Sequence, residues 1–268
     1  TSISKNKPKK LRNIKKVKYI VCDITNKNKL KKKLNKNYNF VINLGGYVDH
    51  VNKQKTYNSH YLGSKNLSEI FLRKKLISFV QIGSGGEYGS ARSPHNEKMK
   101  TFPKGFYFKA KAMATKYLLE LHKKKKFPVT ILRLYQAYGP KQDTNRLIPI
   151  VIKSCLKNKK FPCSTGIQYR DFLHIDDLIN SILKCYDNKA AIGQIINIGS
   201  GKPEQIKNVI VLIKNKIKRG YPQFGKIKLR SDENIKVYPS LLKAKKILNW
   251  KPKIKFKRGL LKTIKSYE

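Results

Sequence analysis

The sequence predicts an α/β fold whose parallel sheet is doubly wound, with helices on both faces. Short β-branched runs alternate along the 268 residues with longer helical stretches, which is the pattern of strands joined by crossover helices. The β-branched runs are apolar almost throughout, as strands buried on both faces require. Hydrophobic residues make up 40% of the chain, which is enough to bury a sizeable core.

The periodicity of apolar residues predicts the strands and helices in chain order. Strands are predicted at 17–21, 40–44, 79–82, 129–134 and 195–198. Helices are predicted around 28–34, 57–73, 109–122, 147–156 and 177–186. The tail adds a helix at 206–217, a strand at 227–229, and two short helices at 241–248 and 258–266.

Cysteine spacing and hydropathy indicate the compartment. Cys22, Cys155, Cys163 and Cys185 show no C-x-x-C spacing, which argues against a zinc site or a disulfide framework and for reduced thiols. The chain has no run of about 18 apolar residues, and its first residues lack an apolar signal core. We therefore expect a cytoplasmic protein with no membrane span and no metal site.

The charge balance raises the question of a nucleic-acid partner. The 61 basic residues against 15 acidic ones give a net charge of +46. Nine of the basic residues are arginine and the other 52 are lysine, spread over nearly every segment. A base-reading surface uses arginine forks gathered on one element. We therefore expect weak, salt-sensitive adsorption to polyanions and no specific nucleic-acid partner.

Glycine, hydroxyl and carboxylate groups gather where the predicted strands end. In doubly wound sheets, ligands bind at the carboxyl ends of the strands. A binding site is therefore expected at these ends. The residues found there include Asp23, Gly45, Gly46, Ser84, Tyr135 and Gln136.

Tyr107 and Lys111 form a Y-x-x-x-K pair at the mouth of a predicted helix. Four residues are about one helical turn, so both side chains project from one face. An ammonium near a phenol favours the phenolate and lowers the tyrosine pKa, which makes Tyr107 a usable general acid or base. Ser84 would donate a hydrogen bond to the same substrate oxygen. Alone, the pair is a weak signal in a chain with 15 tyrosines.

Ordered motifs around this pair strengthen the signal. The turn Gly83–Gly89 precedes Pro94, Glu97 and the Tyr107–Lys111 pair, and six further motifs lie along the chain. These are Gly63-Ser64-Lys65-Asn66-Leu67, Tyr138-Gly139-Pro140, Arg146-Leu147-Ile148-Pro149, Arg170-Asp171-Phe172, Asn197-Ile198-Gly199-Ser200-Gly201 and Leu248-Asn249-Trp250-Lys251-Pro252. Together they resemble the extended short-chain dehydrogenase/reductase family, and more narrowly its NAD-dependent epimerases, dehydratases and 4-keto reductases of nucleotide sugars.

The resemblance implies a Rossmann-like site for NAD or NADP. Asp23 would contact the adenine, and Gly45 and Gly46 would let the backbone approach the cofactor. Lys111 would bind the nicotinamide ribose, and Tyr107 would be the acid or base. The implied catalytic residues are Ser84, Tyr107 and Lys111, and the further cofactor-side residues are Leu44, His60 and Tyr135.

The resemblance also implies a nucleotide-sugar site. Arg170 and Arg230 would clamp the substrate diphosphate, a task that suits the guanidinium fork. Gln136 would face the sugar or phosphate, and Glu233 a ribose hydroxyl. The implied lining of the nucleotide pocket is Leu147 and Ile148.

The expected division of the chain into domains follows these two binding roles. Residues 1–140 and 171–200 would form the NAD(P)-binding domain, and residues 141–170 and 201–268 the nucleotide-sugar-binding region. In relatives, helices corresponding to 57–73 and 109–122 form a four-helix bundle, which implies a homodimer here.

The chain departs from the family pattern in its first part. Members open with a strand and G-x-x-G-x-x-G, which holds the cofactor pyrophosphate. This sequence shows no such motif and looks as though about the first βαβ stretch is missing. Phe108 and Ala110 also replace the usual glycine and serine of Y-G-x-S-K, and asparagine is common in relatives at His60 and Gln136.

One absence bears on the reaction. Related 4,6-dehydratases carry an acid directly after the hydroxyl residue, whereas Gly85 and Gly86 follow Ser84 here. We therefore expect C4 epimerisation or 4-keto reduction, supplying surface-polysaccharide precursors. The alternatives are a catalytically impaired or non-catalytic relative, favoured by the missing glycine-rich motif, and a polyanion-binding protein, favoured only by charge.

Overall fold

Parallel strand pairs with helices between them confirm the predicted α/β class. The computed structural model describes residues 1–5, 16–47, 52–72, 74–229 and 233–268. The strands are β1 (Ser2–Ser4), β2 (Tyr19–Val21), β3 (Phe40–Asn43), β4 (Ser78–Ser84), β5 (Val129–Leu134), β6 (Gln136–Tyr138), β7 (Lys160–Pro162), β8 (Tyr169–His174), β9 (Ile195–Ile198), β10 (Pro203–Gln205), β11 (Tyr221–Gln223) and β12 (Lys236–Val237). The helices are α1 (Lys27–Lys33), α2 (Lys53–Tyr57), α3 (Gly63–Phe71), α4 (Gly105–Lys125), α5 (Leu147–Leu156), α6 (Ile175–Leu183), α7 (Ile206–Ile217), α8 (Leu242–Leu248) and α9 (Phe256–Lys265).

The chain divides into two compact units. The first unit comprises Thr1–Gly89, Thr101–Leu132 and Cys185–Ile195; the second comprises Ser90–Lys100, Arg133–Lys184 and Ile196–Glu268. The predicted division by function, with boundaries at 140, 170 and 200, stays a prediction because compactness does not report which ligand a segment binds.

Parallel pairing dominates the strands that carry the expected site. β1 pairs with β2 in parallel as a two-stranded sheet, and β3 pairs with β4 in parallel. One four-stranded sheet has the order β3-β4-β5-β9. In the second unit, β8 is central: β6 and β12 pair with it in parallel and β10 antiparallel.

The strand predicted at 227–229 is wrong. Ile227 donates its backbone N–H to the carbonyl of Cys163, but no ladder forms over these residues. Seven strands of the described residues were not predicted from the sequence: β1, β6, β7, β8, β10, β11 and β12. Of these, β11 pairs in parallel with β7.

Helices from 53 to 71 form one nearly continuous helical stretch in the first unit. α2 passes into α3 through a π-helical turn at Asn58–Leu62, so the helix predicted from 57 begins four residues earlier. The π-helical turn contains the buried His60. Single-turn π-helical segments occur often at functional sites.

Each unit has its own apolar core. The first is built around buried Leu30, Phe79, Leu118 and Ile131. The second is built around Ile152, Phe172, Ile213 and Leu260. Residues of β1 and β3, with Leu34, Leu67 and Phe71, line a cavity of about 350 Å³ in the first unit.

Candidate active site

Ser84 lies at the end of β4, where the strand turns into a 3-10 segment at Gly85–Tyr88. Its Oγ accepts the N–H of Gly86 at 3.2 Å, and its own N–H donates to Glu87 Oε1 at 2.8 Å. These reciprocal bonds form a capping box. The capping box holds the hydroxyl in a defined position at the strand end.

Tyr107 and Lys111 lie one turn apart at the start of α4, as the Y-x-x-x-K spacing predicts. Lys111 Nζ is 5.9 Å from the centroid of the Tyr107 ring. The Lys111 ammonium also donates to the carbonyl oxygen of Ile82 in β4 at 2.8 Å. The structure therefore brings the predicted hydroxyl, phenol and ammonium residues together on adjoining elements of the first unit.

Burial sets the charge behaviour of Lys111, whose residue is 6% exposed. Burial lowers its pKa to about 8, and the Glu87 carboxylate works in the opposite sense. An ammonium with a pKa near the working pH stays largely protonated while giving up its proton more readily than a surface lysine.

His60 packs directly on the predicted acid or base. Its ring meets the Tyr107 ring edge-on, with centroids 4.8 Å apart, and its Nε2 lies 2.9 Å from the carbonyl oxygen of Tyr47. A β-carbon at Gly46 would come within 1.9 Å of the His60 ring. The glycine predicted for close backbone approach is thus also required by this histidine.

The end of β3 is held by a buried amide. Asn43 donates to Ser64 Oγ and Gln81 Oε1, and its own Oδ1 accepts the N–H of Gly45. Leu44 beside it is 68% exposed. The end of β3 therefore exposes the apolar side chain of Leu44, and the Asn43 side chain holds the backbone at Gly45.

Asp23 follows β2 and has a constrained carboxylate. Its Oδ1 accepts the N–H and hydroxyl of Thr25, and its Oδ2 lies 3.1 Å from Lys5 Nζ. Burial works to raise the pKa of Asp23, but these hydrogen bonds and the Lys5 charge outweigh it and leave the pKa below its ordinary value.

In the second unit, Arg170 and Glu233 form an ion pair. Arg170 also donates through Nη1 to the carbonyl oxygens of Tyr169 and Asn234, at 2.8 and 2.9 Å. Arg230, the second predicted phosphate ligand, lies outside the described residues. The two other charged residues predicted on the substrate side, Arg170 and Glu233, therefore lie next to each other. The Arg170 guanidinium is a group suited to bind an anion.

The other predicted substrate-side residues differ in exposure. Gln136 is exposed in β6 and Leu147 is half-buried. Ile148 is buried in the core of the second unit, where it packs with Val151 and Ile152. Of these three residues, Gln136 and Leu147 therefore have solvent-accessible side chains that a ligand could contact.

Tyr135, predicted on the cofactor side, bonds to a buried histidine. Its hydroxyl lies 2.8 Å from His95 Nδ1, and His95 Nε2 lies 3.0 Å from the carbonyl oxygen of Ala91. Burial holds the pKa of His95 below its ordinary value. Sequence reasoning missed His95, since no local pattern marks it.

Asp171 of the Arg170-Asp171-Phe172 motif and Asp177 of α6 each hold backbone in the second unit. Asp171 accepts the N–H groups of Ser200 and Gly201, and burial raises its pKa to about 6. Asp177 accepts the N–H groups of Lys253 and Ile254. Asp171 of the R-D-F motif therefore anchors the loop after β9, and Asp177 anchors the residues that follow the W-x-P motif.

The residues present fit the two ends of NAD. An ammonium has three donors, of which the bond from Lys111 to Ile82 uses one, and donors of this kind suit ribose hydroxyls. The Asp23 carboxylate suits an amino group, and the exposed Leu44 suits an aromatic ring. The glycine-rich motif for the pyrophosphate is not in this sequence.

Comparison with known proteins shows the family to which the chain is related. The NAD dependent epimerase/dehydratase family matches residues 2–199. CDP-abequose synthase of Salmonella typhimurium is 31% identical over 50% of this chain and 46% of its own length. A dTDP-D-glucose 4,6-dehydratase of Bos taurus is 30% identical over 72% of this chain and 56% of its own.

A solved structure shares the fold. The Bacillus cereus UDP-glucuronic acid 4-epimerase, a mutant in complex with UDP-4-deoxy-4-fluoro-glucuronic acid and NAD, has a TM-score of 0.85 and 25% identity. The match covers 92% of this chain and 80% of that one. The predicted Rossmann-like class is confirmed.

The fold is that of a Rossmann-like protein, shared with a solved structure that holds NAD. The chain belongs to the NAD-dependent epimerase/dehydratase family. It spans between 41% and 56% of the length of three curated relatives that it matches. Of the helices in the described part of the chain, none is long and apolar enough to cross a membrane.

Proposed function

We propose that this chain carries the catalytic residues of an NAD-dependent nucleotide-sugar C4 epimerase or 4-keto reductase. The observation that carries the proposal is the grouping of Ser84, Tyr107 and the buried Lys111 on β4 and α4. A hydroxyl donor, a phenol and a neighbouring ammonium are the groups needed to move a proton at a sugar oxygen.

Tyr107 would exchange the proton of the sugar O4. When O4 loses its proton, the Tyr107 phenolate takes it; when a 4-keto group is reduced, the phenol returns it. The Ser84 hydroxyl would orient the same oxygen, and the Lys111 charge would stabilise the phenolate. Bound NAD would supply the acceptor or donor of the C4 hydride.

The turn after Ser84 favours these reactions over dehydration. Gly85 and Gly86 have no side chain that transfers a proton, and Glu87 is fully buried with its carboxylate on the Ser84 N–H. Removing a C6 hydroxyl needs an acid facing the sugar. We therefore propose no 4,6-dehydratase activity, although dehydratases are among the similar proteins.

Arg170 would bind the substrate diphosphate by exchanging its Glu233 partner for phosphate oxygens. Glu233 would then be released to accept a ribose hydroxyl. Gln136 and Leu147, which have exposed surface, would contact the sugar and the nucleotide. The bidentate guanidinium fork suits a diphosphate better than an ammonium does.

We further propose a cytoplasmic homodimer that serves surface-polysaccharide synthesis. Tyr57 of α2 and Phe106 and Met113 of α4 are exposed, and Lys53 of α2 lies over the Phe106 ring. This apolar surface supports helix pairing with a second copy. The four cysteines are buried and free, which suits a reducing compartment.

Substitution of Tyr107 tests the reaction. Tyr107→Phe should lower turnover roughly 10²- to 10⁴-fold while nucleotide-sugar binding is retained, because only the proton carrier is lost. Turnover would be measured with NAD or NADH and a panel of UDP-, dTDP-, CDP- and GDP-sugars and their 4-keto forms. Tyr221→Phe, on an exposed strand of the second unit, is the matched control.

Two results would contradict the proposal. Full activity of Tyr107→Phe would remove its role as acid or base. Formation of a 4-keto-6-deoxy sugar from a 6-hydroxy nucleotide sugar would show dehydration despite Gly85 and Gly86.

A further inference from the structure

Glu87 is a fully buried carboxylate placed among the catalytic residues of the first unit. It is the last but one residue of the 3-10 segment after Ser84. Its Oε1 accepts the Ser84 N–H at 2.8 Å, so the carboxylate points back toward the end of β4. Burying a carboxylate this deeply costs free energy of folding unless the carboxylate is paired with a cation or hydrogen-bonded.

The same carboxylate acts on the buried Lys111. Lys111 extends from α4 to the carbonyl oxygen of Ile82, two residues before Ser84 in β4. Burial lowers the pKa of Lys111, and the charge of Glu87 raises it. Glu87 thus contacts the hydroxyl-bearing residue through the backbone and influences the ammonium through its charge.

We propose that Glu87 is a positioning residue, whose buried carboxylate holds Ser84 in place through its backbone N–H and whose charge stabilises the Lys111 ammonium. This inference rests on the proposed function, because it assigns Ser84 and Lys111 to the reaction. Glu87 itself does not touch the substrate.

The groups that surround Lys111 define what a pH experiment would measure. Glu87 approaches from the 3-10 segment and Tyr107 from α4 itself, and His60 of the π-helical turn packs on the Tyr107 ring. Among these, Glu87 is the group whose charge raises the pKa of Lys111. Removing that charge should let burial lower the pKa further.

Glu87→Gln removes the charge and keeps an oxygen that can accept the Ser84 N–H. Glu120→Gln, on an exposed position of α4, is the matched control. In the active protein, the basic limb of the kcat profile should move to lower pH by roughly one unit or more in Glu87→Gln. Lowering the pH should then restore its kcat, which a loss of folding would not allow.

A second measurement does not need activity. The folded pKa of Lys111 lies below that of the unfolded chain, so the unfolded state binds more protons between these values. Stability should therefore rise with pH from about 8 toward the unfolded value of about 10.4. In Glu87→Gln the rise should begin at lower pH, and Lys111→Met should remove this component in both backgrounds.

The outcomes separate the two proposals. If the wild-type protein is inactive but Glu87→Gln still shifts the pH dependence of urea unfolding, the proposed function is contradicted. The coupling between Glu87 and Lys111 is then supported. Identical unfolding profiles in Glu87→Gln and Glu120→Gln, or a shift that persists with Lys111→Met, would overturn the role of Glu87.

Discussion

The side chain of Phe108, an unusual residue between Tyr107 and Lys111, packs in space that Gly86 leaves open. Phe108 stands where relatives carry glycine, and its ring lies against Gly86, where a β-carbon would come within 2.1 Å. The ring also packs edge-on near Tyr107, with centroids 5.1 Å apart. Gly86 therefore provides the space that this phenylalanine needs beside the acid or base.

We expect Gly86→Ala to destabilise the protein by roughly 1–3 kcal/mol, because the methyl group would force the Phe108 ring to move. Urea unfolding would measure the change. In a Phe108→Ala background the same substitution should cost little, because the space is then open. Equal costs in both backgrounds would contradict this explanation.

At the residue scale, sequence reasoning was limited to local patterns. The Y-x-x-x-K spacing predicted that Tyr107 and Lys111 share a face, because helix geometry alone determines it. Sequence could not predict that Glu87 faces inward, since the direction of its carboxylate depends on the capping box with Ser84. The pairing of Arg170 with Glu233 likewise joins residues 63 apart in the chain.

At the scale of elements, β3 is less buried than its sequence indicates. The run Phe40-Val41-Ile42-Asn43 is typical of a strand covered on both faces, but Ile42 is 39% exposed and β3 lines the cavity with β1. Its neighbour β4 is buried along nearly its whole length. Burial within one sheet therefore differs strongly between adjacent strands.

This difference predicts unequal costs of truncation. Val80→Ala, at a fully buried position in β4, should cost about 1–3 kcal/mol, whereas Ile42→Ala should cost less even though it removes more atoms. Urea unfolding of both variants would measure this. A larger loss for Ile42→Ala would show that β3 is as well packed as β4.

The long helices were predicted well, whereas several strands were missed, among them β8 with six residues. β5, β9, α5 and α7 have the predicted bounds, because their apolar residues indicate both the type and the buried face of the element. The strand predicted at 227–229 does not form, although Ile227 donates one backbone hydrogen bond to Cys163. Strands of three residues depend on their neighbours more than on their own residues.

At the scale of the whole molecule, the net charge of +46 governs nonspecific association. We expect two DNA duplexes of unrelated sequence to bind with equal affinity and to be released as salt rises, because lysine–phosphate contacts are screened. Fluorescence anisotropy between about 0.01 M and about 1 M salt would measure this. Sequence-selective binding that survives high salt would instead favour a nucleic-acid function.

By itself, the sequence determined the α/β class, the family, the order of the long elements and the Tyr107–Lys111 pair. These properties depend on local periodicity and on motifs, which the chain carries wherever it folds. Only the tertiary structure decided that Glu87 turns toward Ser84 and Lys111, that His60 packs on Tyr107, and that Ile148 is buried in the core. These contacts join residues that are separate in the chain, so packing and burial determine them.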